Sequence, residues 1–129
     1  MRILDSDHCI AILRGYLDLR LKVSTLDELA VTAITVGELV HGAYKSARPH
    51  ENLARLDVLL ATLTILSYDE GAAHHFGLVK SGLEQAGMIL SDLDIQIASI
   101  ALQHGAPLVT HNLQHFARVS GLSTEDWIE

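Results

Sequence analysis

A single cysteine, Cys9, stands in these 129 residues. That excludes an internal disulfide framework and fits a reducing compartment; set in the apolar run CIAIL, it reads as a small core residue. Prolines are only two, Pro49 and Pro107, and no repeat, low-complexity stretch or linker divides the chain, which predicts one domain over 1–129. Aromatics make up 5%, so the core must be aliphatic. The longest apolar runs, such as VLLATLTIL, fall far short of a membrane span. Asp5 and Asp7 interrupt the opening MRILDSDHCI before any signal-type apolar run can form. A cytoplasmic protein with no membrane association is expected. Basic residues are scarce as well: nine Lys and Arg face 16 Asp and Glu, a formal net charge of −7. This argues against adhesion to nucleic acid through a broad basic face. It does not exclude a nucleic-acid enzyme, because acids gathered to hold a divalent cation add negative charge that the cation cancels.

What is abundant is aliphatic. Hydrophobic residues reach 49% against 19% charged, with mean hydropathy +0.27, leaving apolar surface for a partner. Short strands alternate with helices along the chain. RILD is a first strand, followed by a helix from about His8 to Arg14 that Gly15 ends, and a second helical stretch from Leu17. LAVTA reads as the next strand. ITVGELVHGAYKS reads as a helix entered through Thr35, and ENLARLDVLLATL as another starting after Pro49. TILSY is a short strand, and DEGAAHHFGLVKSGLEQAG a helix closed by Gly87. SDLDIQIASIALQHG is the clearest amphipathic helix, with Leu93, Ile97 and Ile100 at helical spacing and Gly105 at its end; PLVT is a final buried strand. The alternation predicts an α/β fold, a mostly parallel sheet with helices on both faces and a functional crevice at the carboxyl ends of the strands.

Acids fall at that edge. Asp5 ends the first strand, Glu38 lies a helical turn past the second, and Asp94 begins the helix leading into the last, whose carboxyl end carries Thr110 and Asn112. A pair of carboxylates ~4 Å apart repel by about 1 kcal/mol in water and about 4 kcal/mol at an effective dielectric of 20. A divalent cation removes that repulsion, and hard oxygen ligands without paired Cys or an HExxH pattern select Mg²⁺ or Mn²⁺ over zinc. Such a site suits phosphodiester hydrolysis. Capping accounts for the same residues: Thr35-x-x-Glu38 and Ser91-x-x-Asp94 both have capping-box form, as does Ser123-x-x-Asp126. Asp7 and His8 read as the N-cap and first turn of the first helix, and Thr110 and Asn112 as ordinary turn residues. Individually these signals are weak; their order and placement carry the inference.

At these residues the chain resembles PIN-domain ribonucleases of the VapC type. The likeness runs through ILDSDHCIAILRG, ITVGELVHGAYKS and the long close DLDIQIASIALQHGAPLVTHNLQHFARVSGLSTEDW, covering nearly the whole chain. It implies a three-layer α/β/α PIN-like domain and an Mg²⁺- or Mn²⁺-dependent endoribonuclease that arrests translation by cutting RNA such as tRNA or rRNA. It further implies a VapB-like antitoxin partner and a homodimer. Carried over by position, Asp5, Glu38 and Asp94 are the acidic metal-site residues, and Thr110 and Asn112 a supporting polar pair that orients the first acid. One departure stands out: His115 occupies a position where many members carry an acid. That bears on a second metal, with His115 against the phosphate or Asp92 as replacement charge set beside a plain surface histidine. His74 and His75 are adjacent and cannot chelate together. His111 and His115 are spaced i, i+4 in what reads as a loop, and His41 and His104 read as surface or boundary residues. Lys45 and Arg48 are candidates for gripping the RNA backbone, against a solvated helix end. Two rivals remain at this level. A haloacid-dehalogenase-type phosphatase would use Asp5 as nucleophile and Asp7 as acid, although Cys9 and the short chain fit it poorly. A PIN-like binding protein that has lost catalysis is favoured by His115 and disfavoured by the retention of Asp5, Glu38 and Asp94.

Overall fold

In a computed structural model that describes residues 1–22 and 27–128, five strands form one all-parallel sheet in the order β3-β2-β1-β4-β5. They are β1 (Arg2–Leu4), β2 (Leu29–Thr32), β3 (Thr64–Leu66), β4 (Leu108–Val109) and β5 (Thr124–Glu125). The helices are α1 (Ser6–Leu13), α2 (Ala33–Lys45), α3 (Pro49–Leu60), α4 (Glu70–Gln85), α5 (Asp92–His104) and α6 (Leu113–Phe116).

Side chains alternate across a strand, so neighbouring residues feed opposite layers. Ile3, Ala30 and Leu108 join Ile97, Ile100 and Phe116 on one face. Leu4, Val31 and Val109 join Leu39, Leu56 and Trp127 on the other. The inner residues of the central strands, Ile3 and Leu4, Ala30 and Val31, Leu108 and Val109, are therefore apolar on both faces, as a sheet covered on both sides requires. The expected α/β/α layering is the observed one, and the sheet is parallel throughout.

The elements depart from the sequence reading in several places, among them α6, a short helix carrying His115 where a loop was read. α1 begins at Ser6, with Asp5 as its N-cap, rather than at His8. α2 begins at Ala33 because the hydroxyl of Thr32, not Thr35, accepts the free amide of the first turn. Between Leu17 and Lys22 only a 3₁₀ turn over Leu19–Leu21 forms. PLVT is not the last strand: β5 follows it, with Leu108 opposite Thr124 and Val109 opposite Glu125. The stripe assigned to α5 also needs revision. Leu93 is half exposed, while Ile95, Ile97, Ala98, Ser99, Ile100 and Ala101 are all buried, so this helix is covered on most of its circumference. It ends where expected, at Gly105 with φ 60°, a left-handed backbone that glycine adopts without a Cβ clash.

Strand order turns back on itself at one place. From β1 the chain steps through β2 to β3 on one side, then returns to lay β4 against the other side of β1. The carboxyl ends of β1 and β4 thus flank the switch point, where open parallel sheets form their ligand crevice. Asp5 and Thr110 are the first residues beyond those two ends.

Candidate active site

Asp5 is almost wholly buried, yet it is not without partners. One carboxylate oxygen accepts the Ser6 N–H at 2.9 Å and the other accepts the Thr110 hydroxyl at 2.8 Å. Thr110 in turn accepts the backbone N–H of Asn112 at 3.1 Å. The Asn112 side chain is exposed and makes no bond among the described residues, so this residue acts on the network through its amide alone. Both Asp5 oxygens are engaged but not saturated, since a carboxylate has about four acceptor positions.

Three elements deliver acids to the same edge. α1 and α2 each leave the carboxyl end of a strand, while α5 runs back against β4, so its first turn lies at that edge too. Asp94 sits in that first turn, where its backbone N–H donates to the Ser91 hydroxyl at 3.2 Å. The return half of a capping box is absent among the described residues, which leaves both Asp94 oxygens uncommitted. Glu38 is not a box acid at all: with Thr32 as cap, it falls in the second turn of α2.

The electrostatics register this gathering. Burial raises the Asp5 carboxyl above its ordinary pKa, and the charges of Asp7 and Asp94 add to it; the Ser6 N–H and Thr110 hydroxyl oppose. Glu38 is raised by partial burial of its carboxyl, then by Asp5 and Asp94. Among the described residues no lysine or arginine pairs with Asp5, Glu38 or Asp94. Helix N-termini at Asp5 and Asp94 supply partial positive charge, but only a fraction of what three acids require.

This donor set fits a hard divalent cation: oxygen ligands only, mutually repelling, with no internal counter-charge. Among the described residues no three His, Cys, Asp or Glu groups are already drawn to common ligating distance. Glu38 and Asp94 would swing inward to share an ion with Asp5, a motion that breaks no hydrogen bond of theirs.

Asp7 lies in the first turn of α1 and is not its cap. Its carboxylate accepts the His8 Nδ1–H at 2.7 Å and the His111 N–H at 2.9 Å. Burial works to raise its pKa, but those two bonds and the proximity of His8 overcome it, and the net direction is down. An anion so held is a poor proton donor, which removes the acid that the phosphatase reading needs. His8 is fully buried, and its Nε2 accepts the Trp127 N–H at 3.0 Å. Nε2 therefore carries no proton, and Nδ1 is the donor to Asp7. Asp126 lies 3.4 Å from the same nitrogen and reaches His111 Nδ1 at 2.9 Å with its other oxygen. Sequence reading placed His8 in a first turn and did not anticipate this buried strut; its signal was the trailing Glu125-Asp126-Trp127.

His115 is exposed and makes no side-chain bond among the described residues. Asp92 does not replace the missing acid, for it is turned outward to Lys80 at 2.8 Å. Lys45 is exposed at the end of α2, and Arg48 is paired with Glu51 at 3.4 Å. Two other cations, Arg14 and Arg55, line a groove beside Glu38; the sequence reading gave neither a role. Cys9 is a core residue, its thiol pushed up to about 12 by burial and the charges of Asp5 and Asp7.

A PIN-domain family model matches residues 3–122. Ribonuclease VapC2 of Haemophilus influenzae is 43% identical over 101 residues, covering 78% of this chain and 76% of its own. The tRNA(fMet)-specific endonuclease VapC of Salmonella typhimurium is 34% identical over 127 residues, 96% of each chain. Among solved structures, VapBC2 from Rickettsia felis bound to a promoter DNA fragment superposes with TM-score 0.90 at 30% identity, covering 98% of both chains. With the switch-point acids in place and these likenesses extending over most of its length, the chain belongs to the PIN-domain family, on the branch that holds the VapC ribonucleases.

Proposed function

We propose that this chain is a divalent-metal-dependent endoribonuclease, the toxin of a toxin–antitoxin pair, with Asp5, Glu38 and Asp94 as its catalytic acids. The observation that carries the reading is the set of three acids at the switch point: the charge of Asp94 raises Asp5, the charges of Asp5 and Asp94 raise Glu38, and among the described residues no cationic side chain pairs with any of them. Asp5 is the fixed member, its rotamer set by Thr110 and the Ser6 amide. Asp94 and Glu38 are free to rotate and complete the ion's coordination. A bound Mg²⁺ or Mn²⁺ supplies an acidified water and offsets negative charge at the phosphate. Glu38, close enough to Asp5 and Asp94 to feel both charges, would bind the cation or position the attacking water. Asp7 and Thr110 act behind Asp5 as positioning residues, and His115 takes no part.

The named specificity of the Salmonella relative makes structured RNA such as initiator tRNA the substrate class we favour. Cutting it would arrest translation. The structural neighbours are complexes with an antitoxin, which supports a VapB-like partner for this chain; a homodimer is the assembly we expect, to be measured by light scattering. The deciding experiment is cleavage of total tRNA and structured rRNA fragments by the purified chain with Mg²⁺, Mn²⁺ or EDTA, beside Asp94→Asn prepared identically. Metal-dependent cutting that the variant loses is the expected result. Failure to bind metal at all would overturn the site. Lys45 and Arg48 are retained as weak backbone contacts, and replacing both without altering the salt dependence of cleavage would remove them.

A further inference from the structure

We propose that His111, oriented by Asp126, protonates the leaving oxygen of the phosphodiester; the proposal rests on the nuclease reading above and adds a residue to it. His111 is held at two points. Its backbone N–H donates to the Asp7 carboxylate at 2.9 Å, and its ring Nδ1 lies 2.9 Å from Asp126 Oδ2. An ionised carboxylate only accepts, so Nδ1 carries a proton toward Asp126. Asp126 is anchored in its turn: its other oxygen accepts the Ile128 N–H at 2.9 Å, and its side chain is only 18% exposed. Two acids from opposite ends of the chain thus fix one ring. That ring is 62% exposed, and its Nε2 makes no bond among the described residues, so this nitrogen faces solvent beyond the carboxyl end of β4. A carboxylate at Nδ1 with Nε2 left open is the arrangement in which an imidazole passes protons.

Position relative to Asp5 supplies the second argument. Thr110, whose hydroxyl donates to Asp5, directly precedes His111, and the Asp7 oxygen that accepts the His111 amide lies 3.5 Å from the same hydroxyl. Sheet order then sets two flanks: α2, with Glu38, leaves β2 on one side of Asp5, and His111 follows β4 on the other. Neighbouring strands lie ~4.8 Å apart. In-line displacement at phosphorus puts the attacking and leaving oxygens on opposite faces, so a phosphate at Asp5 with its water toward Glu38 turns its leaving oxygen toward His111. The water's oxygen bonds to phosphorus as the bond from phosphorus to the ribose oxygen breaks. That ribose oxygen keeps the electron pair, takes the Nε2 proton of the imidazolium and leaves as a hydroxyl; the water's proton passes to solvent, which later reprotonates the ring. Histidine is the side chain that exchanges such a proton between pH 5 and 8. The charged groups around this one are acids, Asp126 from the tail, Asp7 from α1 and Asp5 at the end of β1, while His115 on α6 makes no bond. No other oriented donor stands at this edge among the described residues, since Asp7 is held as an anion and the three catalytic acids act as anions.

His111→Gln keeps a hydrogen-bond donor near the place of Nε2 and removes the proton transfer. On the tRNA or rRNA fragment that the parent cuts, with Mn²⁺, its kcat should fall about 100-fold with KM little changed, and the alkaline limb of the parent's kcat against pH should disappear. Asp126→Asn should show a smaller fall in the same direction, and His115→Gln none. The discriminating substrate carries sulfur in place of the leaving oxygen, which the parent's product ends identify. A thiolate departs without a proton, so parent and His111→Gln should cut this substrate at equal rates. Nitrogen-15 NMR of the metal-free parent, above the titration of its imidazoles, should show the His111 proton on Nδ1. An unchanged kcat in His111→Gln would overturn the proposal, as would a defect of equal size on the oxygen and sulfur substrates, or a proton found on Nε2. A parent that cuts neither substrate would show instead that the nuclease reading has failed, and the proposal would fall with it.

Discussion

Replacing Thr110 with valine keeps the shape of a fully buried side chain and deletes one oxygen. Two bonds go with it. The 2.8 Å bond to Asp5 is charge-assisted and buried, the class whose removal costs about 1.5–3 kcal/mol. The 3.1 Å bond from Asn112 is worth about 0.5–1.5 kcal/mol, but Asn112 is exposed and water can replace its acceptor. Valine also recovers some burial of the added methyl. The net is about 2 kcal/mol, or roughly 6–10 °C of Tm for a domain between the sizes usually tabulated. The loss has a pH signature. Thr110 is among the groups holding Asp5's raised pKa down, so the variant's Asp5 rises further. The penalty is full when Asp5 is ionised and shrinks toward that of a neutral bond, about 1 kcal/mol, as pH falls through Asp5's folded pKa. Urea unfolding of both proteins without metal, stepped from pH 7.5 to pH 4, measures it. An equal loss across that range, or none, would refute the account of Thr110 as a donor to a carboxylate. Calorimetric Mn²⁺ titration should also show affinity down about 10-fold or more.

Other outcomes follow from the same network. Asp5 and Glu38 have folded pKa values raised above 3.8 and 4.5, so their contribution to stability is present below those values and lost as pH rises through the folded ones. Asp5→Asn should therefore melt higher than the parent at pH 7.5 in EDTA while abolishing cleavage, the gain fading in acid; a lower Tm at neutral pH would contradict this. His8→Phe strands the buried Trp127 N–H and withdraws a donor from Asp7, at about 2–4 kcal/mol. Hydrogen exchange at the Trp127 amide should accelerate, and an unchanged rate would count against the strut. Gly77 sits in mid α4 with nothing near its missing Cβ. Gly77→Ala should gain about 0.5–1 kcal/mol by thermal melting and leave RNA cleavage untouched.

Layering and the crevice were legible because they depend on features that sequence records directly. Apolar runs such as PLVT cannot sit at a surface, and an acid immediately after such a run has to lie at a strand end. The helix starts were less so. Thr32 and Thr35 are both competent caps, and the choice falls to Thr32 only because β2 pairs with β3 through that residue and the helix follows at once. β5 and α6 span two and four residues, too few to establish any period. They exist because Leu108 and Val109 offer a free strand edge and Phe116 has a place in the core. The groove was invisible for a related reason: Arg14 and Arg55 are 41 positions apart in sequence, and only helix packing makes them neighbours.

The bond from Thr110 to Asp5 spans 105 positions, and that from Trp127 to His8 spans 119. During synthesis Asp5 leaves the ribosome long before the residues that orient it have been translated. A nascent chain can fold its early strands while its acidic site lacks β4, α5's acid and the seal at Trp127. For a protein proposed to destroy the RNA of the machinery that makes it, such connectivity defers the completed site until translation has passed Trp127.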